Sequence, residues 1–130
     1  IQDLDEAIRL DPRHVGAHNE RGKSYVQLTE HQAALKDFDR AIEIDANLAE
    51  AFANRGAVHV LLGDNQRGLE DLDEAIRLDS TLATAYRDRS TARQALGQLD
   101  GAASDLERAA QLEPSYSGEK PPDSATDFYS

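Results

Sequence analysis

Apolar and small residues recur along the chain at helical spacing, in blocks separated by short polar breaks. In one block they fall at Ala17, Gly22, Tyr25 and Leu28, and in the next at Ala34, Phe38, Ala41 and Ile42. Steps of three and four place such residues on one face of a helix. No stretch shows the two-residue alternation of a half-buried strand. The spacing therefore predicts helices throughout, joined in pairs. Breaks within pairs are expected at Thr29-Glu30, Gly63-Asp64 and Gly97-Gln98, where glycine suits a helix end. Between pairs, Asp11-Pro12, Asp45-Ala46-Asn47 and Asp79-Ser80-Thr81 supply cap and turn residues.

The blocks repeat. The segment from Asp3 to Asp11 returns as Asp37 to Asp45, again as Asp71 to Asp79, and more loosely as Asp105 to Glu113, at a spacing of 34 residues. A fixed period of this length predicts a solenoid, in which each unit buries its apolar face only against its neighbours. Aligned on the period, the chain divides into a half unit, 1–14, and three complete units, 15–48, 49–82 and 83–116. Each complete unit reads as two helices. Residues 1–10 read as a second helix without its first partner.

These units resemble the tetratricopeptide repeat family over residues 1–116. The family pattern sets a large residue, a small one, an aromatic, then Ala, an aromatic and Ala at fixed intervals, with a closing Pro. The first complete unit matches with His18, Gly22, Tyr25, Ala34, Phe38 and Ala41. The second gives Phe52, Gly56, His59, Gly68, Leu72 and Ala75, and the third Tyr86, Ser90, Arg93, Ala102, Leu106 and Ala109. Pro12 and Pro114 close units. The resemblance implies an all-α fold: a right-handed α-solenoid of helical hairpins. Gly22, Gly56 and Ser90 then stand where two helices of a hairpin approach closely, facing Ala34, Gly68 and Ala102. Arg93 departs from the pattern. It is expected to loosen the last hairpin or to lay its stem on apolar surface with its head in water.

In this family function lies on the concave face, which the first helices line. The resemblance implies a groove of Asn19, Glu20, Lys23, Val26 and Gln27 in the first unit. The second contributes Glu50, Ala53, Asn54, Ala57, Val60 and Leu61, and the third Thr84, Arg87, Asp88, Thr91 and Gln94. A peptide or helix of a partner would lie there, with Asn54 bonding its backbone and Ala57, Val60 and Leu61 taking an apolar side chain. Because Glu20, Glu50 and Asp88 outnumber Lys23 and Arg87, a neutral-to-basic segment is the expected ligand. One ligand mode of the family is a carboxylate clamp for the acidic C-terminal tail of a chaperone. Its positions fall here at Asn19, Lys23, Asn54, Thr84 and Asp88. Asn54 alone holds the expected residue type, and Asp88 stands where a cation is needed, so this tail is not expected as partner. A second mode, an asparagine ladder, keeps one rung in the column Glu20, Asn54, Asp88.

Charge and composition narrow the classes further. A net charge of −11 argues against a nucleic-acid or anionic-membrane partner, which needs clustered cations. With 39% hydrophobic residues the chain can build a core, yet no apolar run is long enough to span a membrane. No basic-then-apolar leader opens it, and a cytoplasmic setting is favoured. The first residue is Ile1 rather than Met, as in a chain trimmed from something longer. Cysteine is absent, which excludes disulfides and thiolate chemistry.

Arg21, Arg55 and Arg89 form one 34-residue column and Asp3, Asp37, Asp71 and Asp105 another. They are expected to pair between helices and fix the register of the stack. Asp37/Asp39 and Asp71/Asp73 are two apart, point to different sides, and read as surface charge rather than acid–base machinery. His14 and His18 are four apart, but His14 precedes the expected helix and His18 holds a packing position, so no metal is expected. No phosphate loop or nucleophile elbow occurs. No cofactor and no catalysis are expected. The function read from the sequence is a scaffold or adaptor module for protein–protein interaction. Two alternatives are a structural repeat that self-associates through uncapped ends and the substrate-recruiting arm of a larger enzyme. Residues 117–130 read as a polar tail, in which Phe128 and Tyr129 are the residues able to dock on an apolar patch.

Overall fold

The computed structural model describes residues 1–113. Seven helices follow one another: α1 (Gln2–Leu10), α2 (Val15–Gln27), α3 (His31–Ile44), α4 (Ala49–Leu61), α5 (Asn65–Leu78), α6 (Ala83–Ala95) and α7 (Leu99–Leu112). Among the described residues there is no strand. Pro114 and the tail with Phe128 and Tyr129 lie outside them.

The local chemistry of each junction repeats with the period. After α2, α4 and α6 the chain reverses through a left-handed residue, Thr29 (φ 58°), Gly63 (φ 84°) and Gly97 (φ 81°). Glycine occupies that region freely, whereas Thr29 holds it with a β-branched side chain, a strained choice. Between hairpins, Asp11, Asp45 and Asp79 each accept a bond through Oδ1 from the amide two residues on, at 3.0–3.1 Å. These Asx turns stop the second helix and re-aim the chain. His14 caps α2, its Nδ1 accepting from the Ala17 amide at 3.0 Å.

Each hairpin closes on small residues. A Cβ on Gly22 would stand 2.5 Å from a ring carbon of Phe38, and one on Gly56 would stand 2.9 Å from Leu72. Phe38 and Leu72 are fully buried by this approach, Phe38 clustered with Ala34 and Leu72 with Ala75. Each such side chain contributes about 1.5–3 kcal/mol on burial.

The helices sort into two layers. The first helices, α2, α4 and α6, touch one another in sequence, whereas the second helices, α1, α3, α5 and α7, touch only first helices. A row that stays in contact while the other splays must lie on the inside of the curve. The first helices thus form the concave wall and the second helices the convex one.

Between the layers runs a ladder of ion pairs. Arg21 donates through Nε and Nη2 to both oxygens of Asp37 at 2.8 and 2.7 Å, and through Nη1 to Asp5 at 2.9 Å. Arg55 does the same to Asp71 (2.9 and 2.9 Å) and Asp39 (2.9 Å). Arg89 bonds Asp105 (3.1 and 2.7 Å) and Asp73 (3.0 Å). Each guanidinium also lies near an aromatic ring, Tyr25, Phe52 or Tyr86, at 5.4–5.9 Å. The bonds to Asp37 and Asp71 raise the pKa of the Arg21 and Arg55 guanidinium groups above the ordinary arginine value, against the opposing effect of burial. At Arg89, burial works against the charge, and the bonds to Asp105 and Asp73 outweigh it.

Two expectations are corrected here. Asp39 and Asp73 are not idle surface charge: with Asp5 they form the second arm of the ladder and tie each hairpin to the one before it. A fork with five N–H donors reaches two helices at once, so neighbours two apart on a helix both become partners. Arg93 does not extend its head into water. Its Nη1 donates to Asp105 at 3.0 Å and to the Gly101 carbonyl at 3.4 Å, giving that buried carboxylate a second cation.

Candidate functional site

On the concave wall the structure gathers part of the sequence-predicted groove into two recesses. The first, of about 200 Å³, is lined by Lys23, Val26, Gln27, Phe38, Asn54, Ala57 and Val58. It forms because α2 and α4 meet over small residues, so the space above Ala57 stays open while Phe38 and Val58 fill the floor. The second, of about 400 Å³, joins Asn19, Glu20 and Glu50 to Leu4, Ala7, Val15 and Leu48. It opens between α1, the start of α2 and the start of α4.

A chain of polar contacts links the two recesses. Asn19, 3% exposed, donates through Nδ2 to Glu50 Oε1 at 3.0 Å. Asn54 donates through Nδ2 to Asn19 Oδ1 at 3.1 Å. The Lys23 ammonium stands 3.4 Å from Glu20 and 3.7 Å from Glu50. A half-buried cation between two carboxylates has little charge left to offer a ligand.

The remaining predicted positions are placed differently. Val60 is half-buried against the core, its Cγ2 filling the space where Gly68 lacks a Cβ. Leu61 is 63% exposed at the end of α4. Thr84, Arg87, Asp88 and Thr91 lie on α6 outside both recesses. Thr84 and Thr91 are exposed, and the Thr91 hydroxyl donates to the Arg87 carbonyl at 3.3 Å. Asp88 is half-buried, and the loss of water around it raises its carboxyl pKa, with Arg87 partly offsetting the rise.

Sequence reasoning did not name Phe38 and Val58 as the groove floor: Phe38 reads as a packing position of the repeat, and Val58 is not singled out. It also did not foresee the Asn19–Glu50 bond, which joins residues 31 apart, a separation with no periodic signal. His18 is buried, with Nε2 at 2.9 Å from the Pro12 carbonyl, as befits a packing residue. Among the described residues no group of three or more His, Asp or Glu is placed to hold a metal, and no helix is long and apolar enough to cross a membrane.

A convex layer of second helices, a concave wall of first helices and an interleaving arginine ladder define a helical-repeat solenoid. A family model described as TPR repeat matches residues 22–63. No curated protein matches the chain. Among solved structures, the second TPR domain of human RPAP3, in complex with the HSP70 peptide SGPTIEEVD, superposes with a TM-score of 0.70 at 30% identity. That match covers 79% of this chain and 83% of the domain. The Arabidopsis OM64 TPR domain gives a TM-score of 0.75 at 28% identity, covering 78% of this chain and 84% of that one. MamA gives 0.78 at 22% identity over 87% of this chain, which spans 66% of that structure. The chain belongs to the tetratricopeptide repeat family.

Proposed function

We propose that this chain is a protein-interaction module that receives a peptide or helix of a partner on its concave wall, in a scaffold or adaptor role and without catalysis of its own. The observation that carries the reading is the recess between α2 and α4. Its floor is apolar, from Phe38, Val58 and Ala57, and its rim is polar, from Lys23, Gln27 and Asn54. An apolar pocket for one side chain beside amides that can bond a backbone is what peptide recognition requires. The TPR domains of RPAP3, at 26% and 30% identity, have been solved with the HSP90 peptide SRMEEVD and the HSP70 peptide SGPTIEEVD. They support a peptide as the class of ligand. They do not carry their acidic tails over to this chain. Lys23 is already countered by Glu20 and Glu50, and Asp88 adds a further negative charge on α6. A neutral-to-basic segment is the better complement.

The test is selection of binders from a random dodecapeptide library against the chain, followed by affinity measurement. Ala57→Glu, which fills and charges the recess, is expected to weaken the selected peptides at least tenfold. Lys36→Glu, on the convex side, is expected to leave them within twofold. Equal binding by the native chain and Ala57→Glu would reject the groove.

A further inference from the structure

We infer that Glu50 sets the hydrogen-bonding polarity of the groove. Acting through Asn19, it turns the Asn54 amide so that an acceptor, Oδ1, is offered to the bound segment, which favours a segment that supplies an N–H donor there. This inference rests on the concave wall being the ligand site and specifies what that site reads.

The steps follow from which atoms can donate. An ionised carboxylate only accepts, so the Asn19 atom 3.0 Å from Glu50 Oε1 has to be its NH2. That leaves Asn19 Oδ1 pointing the other way, 3.1 Å from Asn54, where it can be met only by the Asn54 NH2. Asn54 is then left with Oδ1, which has no protein partner among the described residues, and with the one Nδ2–H not used on Asn19, at the rim of the 200 Å³ recess. An amide that is free to flip reads donors and acceptors alike, but this one is not free. Asn19 is 3% exposed, so water cannot replace a partner lost on flipping. A flipped Asn19 would set its oxygen against the Glu50 carboxylate and its NH2 against the NH2 of Asn54. Two residues of the first repeat interface thus carry the sign of one carboxylate into the ligand site. Asn54 then meets a carboxylate with an unpaired oxygen beside its one remaining N–H, and its neighbour Lys23 is held between Glu20 and Glu50, so the place suits a carboxylate poorly. A backbone N–H or a Lys or Arg side chain suits the same place.

Glu50→Lys tests the relay, because an ammonium donates where the carboxylate accepted and so reverses both amides. Glu20→Lys is the control: it makes the same charge change beside Lys23 but has no bond to Asn19. The first readout needs no ligand. By NMR, the Asn54 side-chain NH2 of the native chain should exchange with water at least tenfold more slowly than that of exposed Gln27. Glu50→Lys should abolish this protection and Glu20→Lys should keep it. The second readout uses SRMEEVD and its carboxylate-free counterpart SRMQQVN-amide as probes. The native chain should prefer the amide at least fivefold, and Glu50→Lys should reverse that preference by more than Glu20→Lys does. Rapid Asn54 exchange in the native chain, or equal effects of the two lysines, would overturn the relay. An intact relay with neither peptide bound would overturn the ligand assignment and the groove reading while leaving the amide geometry standing.

Discussion

Replacing Arg55 by Met removes the central rung of the ladder while keeping an unbranched side chain of similar reach. The loss is worked from three contacts. The two bonds to Asp71, both 2.9 Å, involve a carboxylate whose side chain is only 10% exposed. Removing one partner of a buried ion pair costs about 3–5 kcal/mol, because the other charge stays desolvated and alone. Here the Arg55 side chain retains 24% exposure, so water reaches part of the site and about 2–3 kcal/mol is the better figure. The arm to Asp39, a residue with 55% side-chain exposure, adds well under 1 kcal/mol. His59 Nε2, 3.9 Å from Asp71, is too far to substitute for the fork. Urea unfolding followed by circular dichroism should show the loss, fitted with a nearest-neighbour model because stacked repeats need not unfold as one unit. Adding Asp71→Asn to Arg55→Met should restore more than 1 kcal/mol, since the stranded charge is then gone. Binding of a groove peptide should survive, as Arg55 faces the convex recess with Lys36 and Glu70 rather than the concave wall. A loss below about 0.5 kcal/mol, or a double variant no more stable than the single, would refute a buried charge as the basis of the rung.

Gly22→Ala should destabilise the first hairpin by about 1–3 kcal/mol although alanine is the better helix former, because the new methyl meets the Phe38 ring at 2.5 Å. Trimming the ring in the double variant Gly22→Ala, Phe38→Leu should recover part of that loss in the same unfolding assay, and no recovery would place the strain elsewhere. Asp88→Asn should raise the melting temperature at neutral pH, since burial lifts the Asp88 pKa and the folded chain bears the cost of an ionised, desolvated carboxylate. Its folded pKa lies above the unfolded one. The advantage of the variant should thus be full above the folded value and fade as pH falls through it toward the unfolded one. A gain that persists in acid would point to packing instead of charge.

Residue type and period alone determined much of this protein. Spacings of three and four set the helices, and the 34-residue return of Gly22, Gly56 and Ser90 marked where they close on each other. This works because a repeat buries its face only against copies of itself, so each column reports one local environment. The arginine column and Asp37, Asp71 and Asp105 of its expected aspartate column were legible for the same reason, whereas Asp5 takes on Arg21 the place expected of Asp3. The column Asp5, Asp39, Asp73 was equally periodic, but helix geometry alone sends it to another side. It took the fork of an arginine from the following hairpin to make it a partner. The groove was less legible. Phe38 reads as a packing residue of its hairpin, and only the stacking of α2 on α4 opens a recess above it and Val58. The orientation of Asn54 belongs wholly to the tertiary structure. It depends on a buried amide of the preceding repeat, Asn19, and on the carboxylate of Glu50 that holds it, and a hydrogen bond between residues far apart in sequence leaves no spacing to read.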